Sequence, residues 1–204
     1  MRILLCSAFL LTSFLISAQD FTTFLGLFEK TELPYTVPNG AFVNAGGEEF
    51  EPDFSGKKID EANAVKFLGA SEGTYTNYEA VVTMDQSKYV AVVVFQTSVN
   101  MNNGYMHGRF VLYTLSKTGD YIDSRIIGEE DMANEMEYYQ SSKVSATIEP
   151  SYMSGDENKL MITYTTTEKK TKVDGGYGMA KEEIITSYDL IQEDGSIKDV
   201  TEGF

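Results

Sequence analysis

From Tyr78 to the end of the chain, apolar and polar residues alternate in short runs separated by turns rich in Gly, Asp and Lys. That spacing predicts strands rather than helices. Val144, Ala146 and Ile148 alternate with Ser145, Thr147 and Glu149, as expected for a strand with one wet face. Leu160, Ile162 and Tyr164 alternate with Met161, Thr163 and Thr165, a more mixed pattern. Tyr89 to Phe95 is almost continuously apolar, which predicts a central strand covered on both sides. Strands are expected at 78–84, 88–97, 109–116 and 121–127, and again at 143–149, 159–167, 183–191 and 196–200. The acidic stretch 129–139 reads as a connector between the two sets, with one or two helical turns.

A Tyr-bearing strand, a charged Gly turn and a return strand occur in each set, at Tyr113 to Ile122 and at Tyr188 to Ile197. Gly119 and Gly195 are expected at positive φ in matching hairpins. The offset of roughly 75 residues fits either an internal duplication or convergent meander patterning. Before the strands, Phe21, Phe24, Leu25 and Phe28 mark one face of a short helix, which Pro34 prevents from continuing. Residues 36–56, with their Pro, Gly, Asn and acidic residues, read as irregular surface. A second helix is expected over Ile59–Leu68, with acids in its first turn and Gly69 as its cap. The expected fold is therefore mainly β: about eight antiparallel strands in two four-stranded meanders, units 78–128 and 143–204. These close as a barrel or stack as a sandwich, with one or two short N-terminal helices in segment 19–77 packed on them. A pair of propeller-like blades is the other architecture the pattern allows.

The first 18 residues read as an export signal: Arg2, an apolar run from Ile3 to Ile16, then Ser17-Ala18 before Gln19. The run is shorter than the roughly 20 residues that span a bilayer, so no transmembrane segment is expected after cleavage. Cys6 lies inside this segment, so the remainder has neither disulfides nor a thiolate metal site. The protein is expected to be exported, to the periplasm or the extracellular space. Its formal charge of −15 becomes −16 once Arg2 is removed, a surface that repels nucleic acid and anionic lipid, so no nucleic acid is expected as a partner.

Several motifs imitate chemistry. Gly69-Ala-Ser71-Glu-Gly73 fits a nucleophile elbow, but a helix precedes it and a strand follows, the reverse of what that motif requires. Ser55-Gly-Lys-Lys58, Ser98-Val-Asn100 and Lys117-Thr-Gly119 follow the order of penicillin-recognising serine enzymes. The Lys-Thr-Gly element is better explained as a hairpin tip. One histidine, His107, and no cysteine after the signal exclude the usual zinc sets. Glu129-Glu-Asp131 and Gly155-Asp-Glu157 lack the alternating ligands of a calcium loop. No metal or cofactor is expected.

The remaining candidates are two Gly-Tyr loops, each between the second and third strand of its unit. They present Tyr105 and His107 in the first copy, and Tyr177 and Met179 in the second, as ligand-binding residues on a rigid β scaffold. Leu33-Pro34-Tyr35, Lys66-Phe67-Leu68 and the two Gly turns together resemble small exported all-β bacterial proteins of unassigned function. That resemblance implies a fold and no catalytic residues. The reading that follows is a non-enzymatic exported binding or interaction protein, using loops or an open strand edge, with a protein, glycan or small ligand as partner. A carboxylate-dependent hydrolase in a β cleft and a structural envelope component are the competing classes.

Overall fold

The computed structural model describes residues 20–38, 56–73, 75–99, 106–135, 138–152, 159–172 and 181–203. The segment read as an export signal lies outside them. In chain order the elements are helix α1 (residues 20–25), β1 (Glu29–Lys30), β2 (Tyr35–Thr36), β3 (Lys57–Ile59) and helix α2 (Glu61–Leu68). Then follow β4 (Thr76–Asp85), β5 (Tyr89–Val99), β6 (Met106–Ser116) and β7 (Tyr121–Glu135). The second set is β8 (Tyr138–Pro150), β9 (Leu160–Lys172), β10 (Lys181–Ile191) and β11 (Ile197–Asp199), before a final 3-10 turn at Thr201–Gly203. The eight expected strands are present, joined by three short ones that the sequence pattern does not predict; Ile59, expected to open the second helix, ends β3.

The strands form one sheet in the order β1-β4-β5-β6-β7-β8-β9-β10-β11, with β2 added to β8 and β3 to β4. It does not close into a barrel. Instead it folds over at β7. This strand pairs with β6 as far as Glu129, and with β8 from Gly128 onward. Between the pairs Val111↔Ile126 and Phe110↔Gly128, Ile127 is an extra residue, fully buried. A bulge of this kind bends a strand and increases its twist, which lets one strand turn the corner between two layers. The acidic stretch 129–135 is therefore strand, not a helical connector.

Folding over gives two cores. Ala91, Val93 and Phe95 of β5 and Phe110 and Leu112 of β6 pack in one cluster with Ala146, Ile148, Ile162 and Ile191 from the second set. Val90, Val92 and Val94 face the other way, into a cluster with Phe21, Phe24, Phe67 and Leu68 from the helices. Strand β5 is thus buried on both faces, as its apolar run predicts. The helices meet through rings: Phe24 lies 4.6 Å from Phe67 and 5.1 Å from Phe28, centre to centre. Helix α2 is set by its ends, since Asp60 accepts a hydrogen bond from the Asn63 N–H at 2.8 Å and Gly69 takes φ 65°.

Strand edges are covered piecemeal. Along β4, β3 covers 78–80 and β1 covers 82–83, with the bulged Val81 at their junction. Along β8, β7 covers 138–145, and the β2 segment takes over at 146–148.

The two Gly turns match bond for bond. In the first, Gly119 N–H donates to Ser116 O at 3.0 Å and Ser116 N–H to Asp120 O at 2.8 Å. In the second, Gly195 N–H donates to Gln192 O at 3.0 Å and Gln192 N–H to Ser196 O at 2.8 Å. Both glycines have strongly positive φ, 94° and 89°. Each turn also lies against core: a Cβ on Gly119 would meet the Phe21 ring at 2.8 Å, and one on Gly195 would meet Ile122 at 2.9 Å. Gly119→Ala and Gly195→Ala should each destabilise the protein by about 1–3 kcal/mol from backbone strain alone, with the ring contact adding to the first. Urea unfolding of the two variants measures this.

Candidate functional site

Strand β7 carries a charged seam on its inner side. The Asp123 carboxylate accepts from the Ile197 N–H at 2.9 Å, and Arg125 Nη2 donates to the Ile197 carbonyl at 2.9 Å. Two side chains thus occupy the donor and acceptor of a β11 residue, as a neighbouring strand would. Thr114 adds a third tie, donating from Oγ1 to the Gly195 carbonyl at 2.7 Å. Arg125 is fully engaged. Its Nη1 donates to Asp123 Oδ1 at 3.0 Å and to the Ser124 carbonyl at 2.8 Å, and its Nε to Asp189 Oδ2 at 3.2 Å. The buried Asp189 also accepts from the Tyr164 hydroxyl at 2.9 Å. Burial, and then the neighbouring Asp189 charge, raise the Tyr164 phenol well above its usual range, so it stays a donor.

Beside this seam, where β7 leaves β6 for β8, lies a groove of about 660 Å³. Its volume falls in the range of small-ligand sites. Ile126 and Val144 give it an apolar patch, while Ser124, Thr166, Ser187 and Thr201 line it with hydroxyls. Arg109 and Arg125 both border it, and they are the only arginines in the chain apart from Arg2. Arg109 is held by its Nε, which donates to Gln96 Oε1 at 3.0 Å, and Gln96 in turn donates to the Tyr113 hydroxyl. Burial pushes the Tyr113 phenol up to about 12. Asp189 and Asp199 are the groove's carboxylates. The Thr201 backbone N–H, 2.8 Å from Asp199 Oδ1, and then the Thr201 hydroxyl hold that carboxyl below its ordinary 3.8.

The site residues expected from sequence are distributed differently. Tyr105, Tyr177 and Met179 lie outside the described residues. His107 is not on a loop: it sits in β6 opposite Ser98, half-buried, with Nε2 4.0 Å from Glu129 Oε2. Strand alternation puts it on the same face as Arg109, one step nearer the β5–β6 connection. In an antiparallel meander the β5–β6 and β9–β10 connections leave from the same end, and Arg109 and Gln96 pair three positions from the first of them. The Ser71 motif is a helix-to-strand loop, its Gly73 N–H bonded to Glu61 Oε1 at 2.7 Å. Lys117-Thr-Gly119 is a hairpin tip. Among the described residues, no group of three or more His, Cys, Asp or Glu is placed to hold a metal ion. No described helix is long and apolar enough to cross a membrane.

Sequence reasoning missed the groove because its parts are scattered from Gln96 to Thr201. One signal was available: two arginines among many lysines, each suited to several directed hydrogen bonds.

Replacing Arg125 by Ala leaves Asp189 buried without its cation and removes the tie to Ile197. The loss should be about 3 kcal/mol, measured by urea unfolding near neutral pH. Asp199 makes the stability of the protein depend on pH. Its depressed folded value gives a contribution present above 3.8 and lost as pH falls through the folded value. An NMR titration should place the Asp199 midpoint below 3.8.

No protein-family model matches the chain, and comparison with curated proteins and with solved structures found no match.

Proposed function

We propose that this is an exported, non-enzymatic binding protein that takes a polar ligand of glycan or small-molecule size in the groove beside β7. The observation that carries the reading is the convergence of Arg109 and Arg125 on one hydroxyl-lined groove in an otherwise strongly acidic chain. Arg125 is consumed by the fold, whereas Arg109 is oriented through its Nε by Gln96 and can turn its remaining guanidinium edge to a ligand oxygen. Tyr105 and Tyr177, expected from the sequence on the β5–β6 and β9–β10 connections, offer aromatic faces that suit a sugar ring. Export through residues 1–18 places the protein in the periplasm or outside the cell.

A hydrolase would also use two carboxylates, and Asp189 and Asp199 share this groove. General acid catalysis needs one of them kept protonated. Asp189 instead faces Arg125, and Asp199 is held ionised by Thr201. Binding is the better use of this chemistry.

The test is an NMR titration of the labelled protein with a panel of neutral and carboxylate-bearing oligosaccharides. Binding should move the amides of Thr166 and Ser187 and fall by about tenfold or more in Arg109→Ala, the loss of one charge-assisted hydrogen bond. Tyr105→Ala combined with Tyr177→Ala should weaken it further. A ligand whose affinity ignores all three substitutions would remove the groove from consideration.

A further inference from the structure

Among the described residues, short strands and side chains cover several of the long strands' edges. Short strands cover the outer edge of β4 and the part of β8 that β7 leaves, and the Asp123 and Arg125 side chains close off β11. Along β10, β11 pairs only with 189–191, and the Val200 N–H reaches the Tyr188 carbonyl. Among the described residues, no strand pairs with the outer edge of Lys181 to Ser187.

The hydrogen-bonding direction of that edge follows from its neighbours. Gln192 N–H bonds Ser196 O, and Tyr188 O accepts from Val200 N, so the even-numbered residues direct their backbone groups toward the β11 side. Continuing along the strand, Glu182, Ile184 and Thr186 direct theirs outward. Ile184 is the midpoint of 181–187 and is 65% exposed, and its neighbour Ile185 is 44% exposed. The charged residues Lys181, Glu182 and Glu183 occupy one half of the edge, and uncharged Ile185, Thr186 and Ser187 the other.

We propose that this edge pairs antiparallel with the same edge of a second copy of the chain, about a two-fold axis at Ile184. In that register Ile184 meets Ile184, Glu182 meets Thr186, Glu183 meets Ile185 and Lys181 meets Ser187. The charged half of each copy lies against the uncharged half of the other, so no like charges are directly opposed. Glu182, Ile184 and Thr186 each fall at a position where antiparallel partners exchange both backbone hydrogen bonds. A parallel pairing would set Glu against Glu. Two-fold contacts of this self-complementary kind are the commonest way soluble chains associate. The pairing extends one sheet across both copies and stops where β11 begins, leaving the groove of each copy in place. With a formal charge of −15 per chain the copies repel at long range, so association strengthens as salt screens them.

Sedimentation equilibrium of the purified protein in about 0.15 M salt, over concentrations up to about 1 mM, tests this directly. The expected result is a reversible monomer–dimer equilibrium. Thr186→Glu puts a second carboxylate opposite Glu182 at two symmetric places and should weaken the dimer by about tenfold. Adding Glu182→Lys to the same chain turns both repulsions into attractions and should restore it. Neither position is in the core, and an unchanged melting curve for each variant shows that the monomer is intact. A protein monomeric at every concentration overturns the proposal, and so does a dimer indifferent to Thr186→Glu. Loss of the dimer without rescue by Glu182→Lys overturns the two-fold register as well.

Discussion

The architecture depends on β7 giving its hydrogen bonds to β6 along one stretch and to β8 along the next. An antiparallel sheet this wide must curl, split or flatten, because twist accumulates from strand to strand. Here β7 carries two bulges against β6, at Ile122 and at Ile127, and the second lies where the partner changes. Ile127 enters the strand without a partner and is buried where the two halves meet, so its apolar side chain contributes to the core that the bend creates. The corner and the core thus stabilise each other. The seam that holds the folded-over sheet shut is polar, formed by Asp123 and Arg125 against one residue of β11.

That seam explains why the groove lies where it does. A strand that changes partners leaves one of its edges open on each side of the change, and β7 before Gly128 has no partner in β8. The gap so formed exposes polar strand surface beside Arg125, Tyr164 and Asp189, already fixed in place by one another. Such a surface is rigid before any ligand arrives, so ordering costs on binding are small. The two arginines have different duties: Arg125 ties β7 to Asp189 and Ile197, whereas Arg109 is held through its Nε by Gln96.

Much of this was legible in the sequence, and the failures have physical causes. The eight expected strands were readable because apolar residues in them meet a core, which imprints alternation or a continuous apolar run. Both Gly turns were readable because positive φ favours glycine. The segment 129–135 was not, because its acidic sequence carries no regular apolar alternation to betray a strand. Strands β1, β2 and β3 are two or three residues long, too short for any period. The groove was hidden for a different reason: Arg125 and Asp189 are 64 positions apart, and nothing local in either segment requires the other. His107 was misplaced by a boundary alone, since β6 begins at Met106.

The placement of β1 and β2 carries a consequence for how the chain reaches this structure. Ten or so residues near the start supply a parallel strand to β4 and an antiparallel one to β8, two strands lying on opposite sides of the corner. The β4 edge belongs to the first set of strands, whereas the β8 edge exists only once the second set has been made. The pairing of β2 with β8 closes a span of 111 residues between Thr36 and Thr147, a non-local contact of the kind that slows folding. The aromatic N-terminal stretch is not subject to that wait: Phe21, Phe24 and Phe28 cluster with Ile59, Phe67 and residues of β4 to β6, so their core can assemble before the second half arrives.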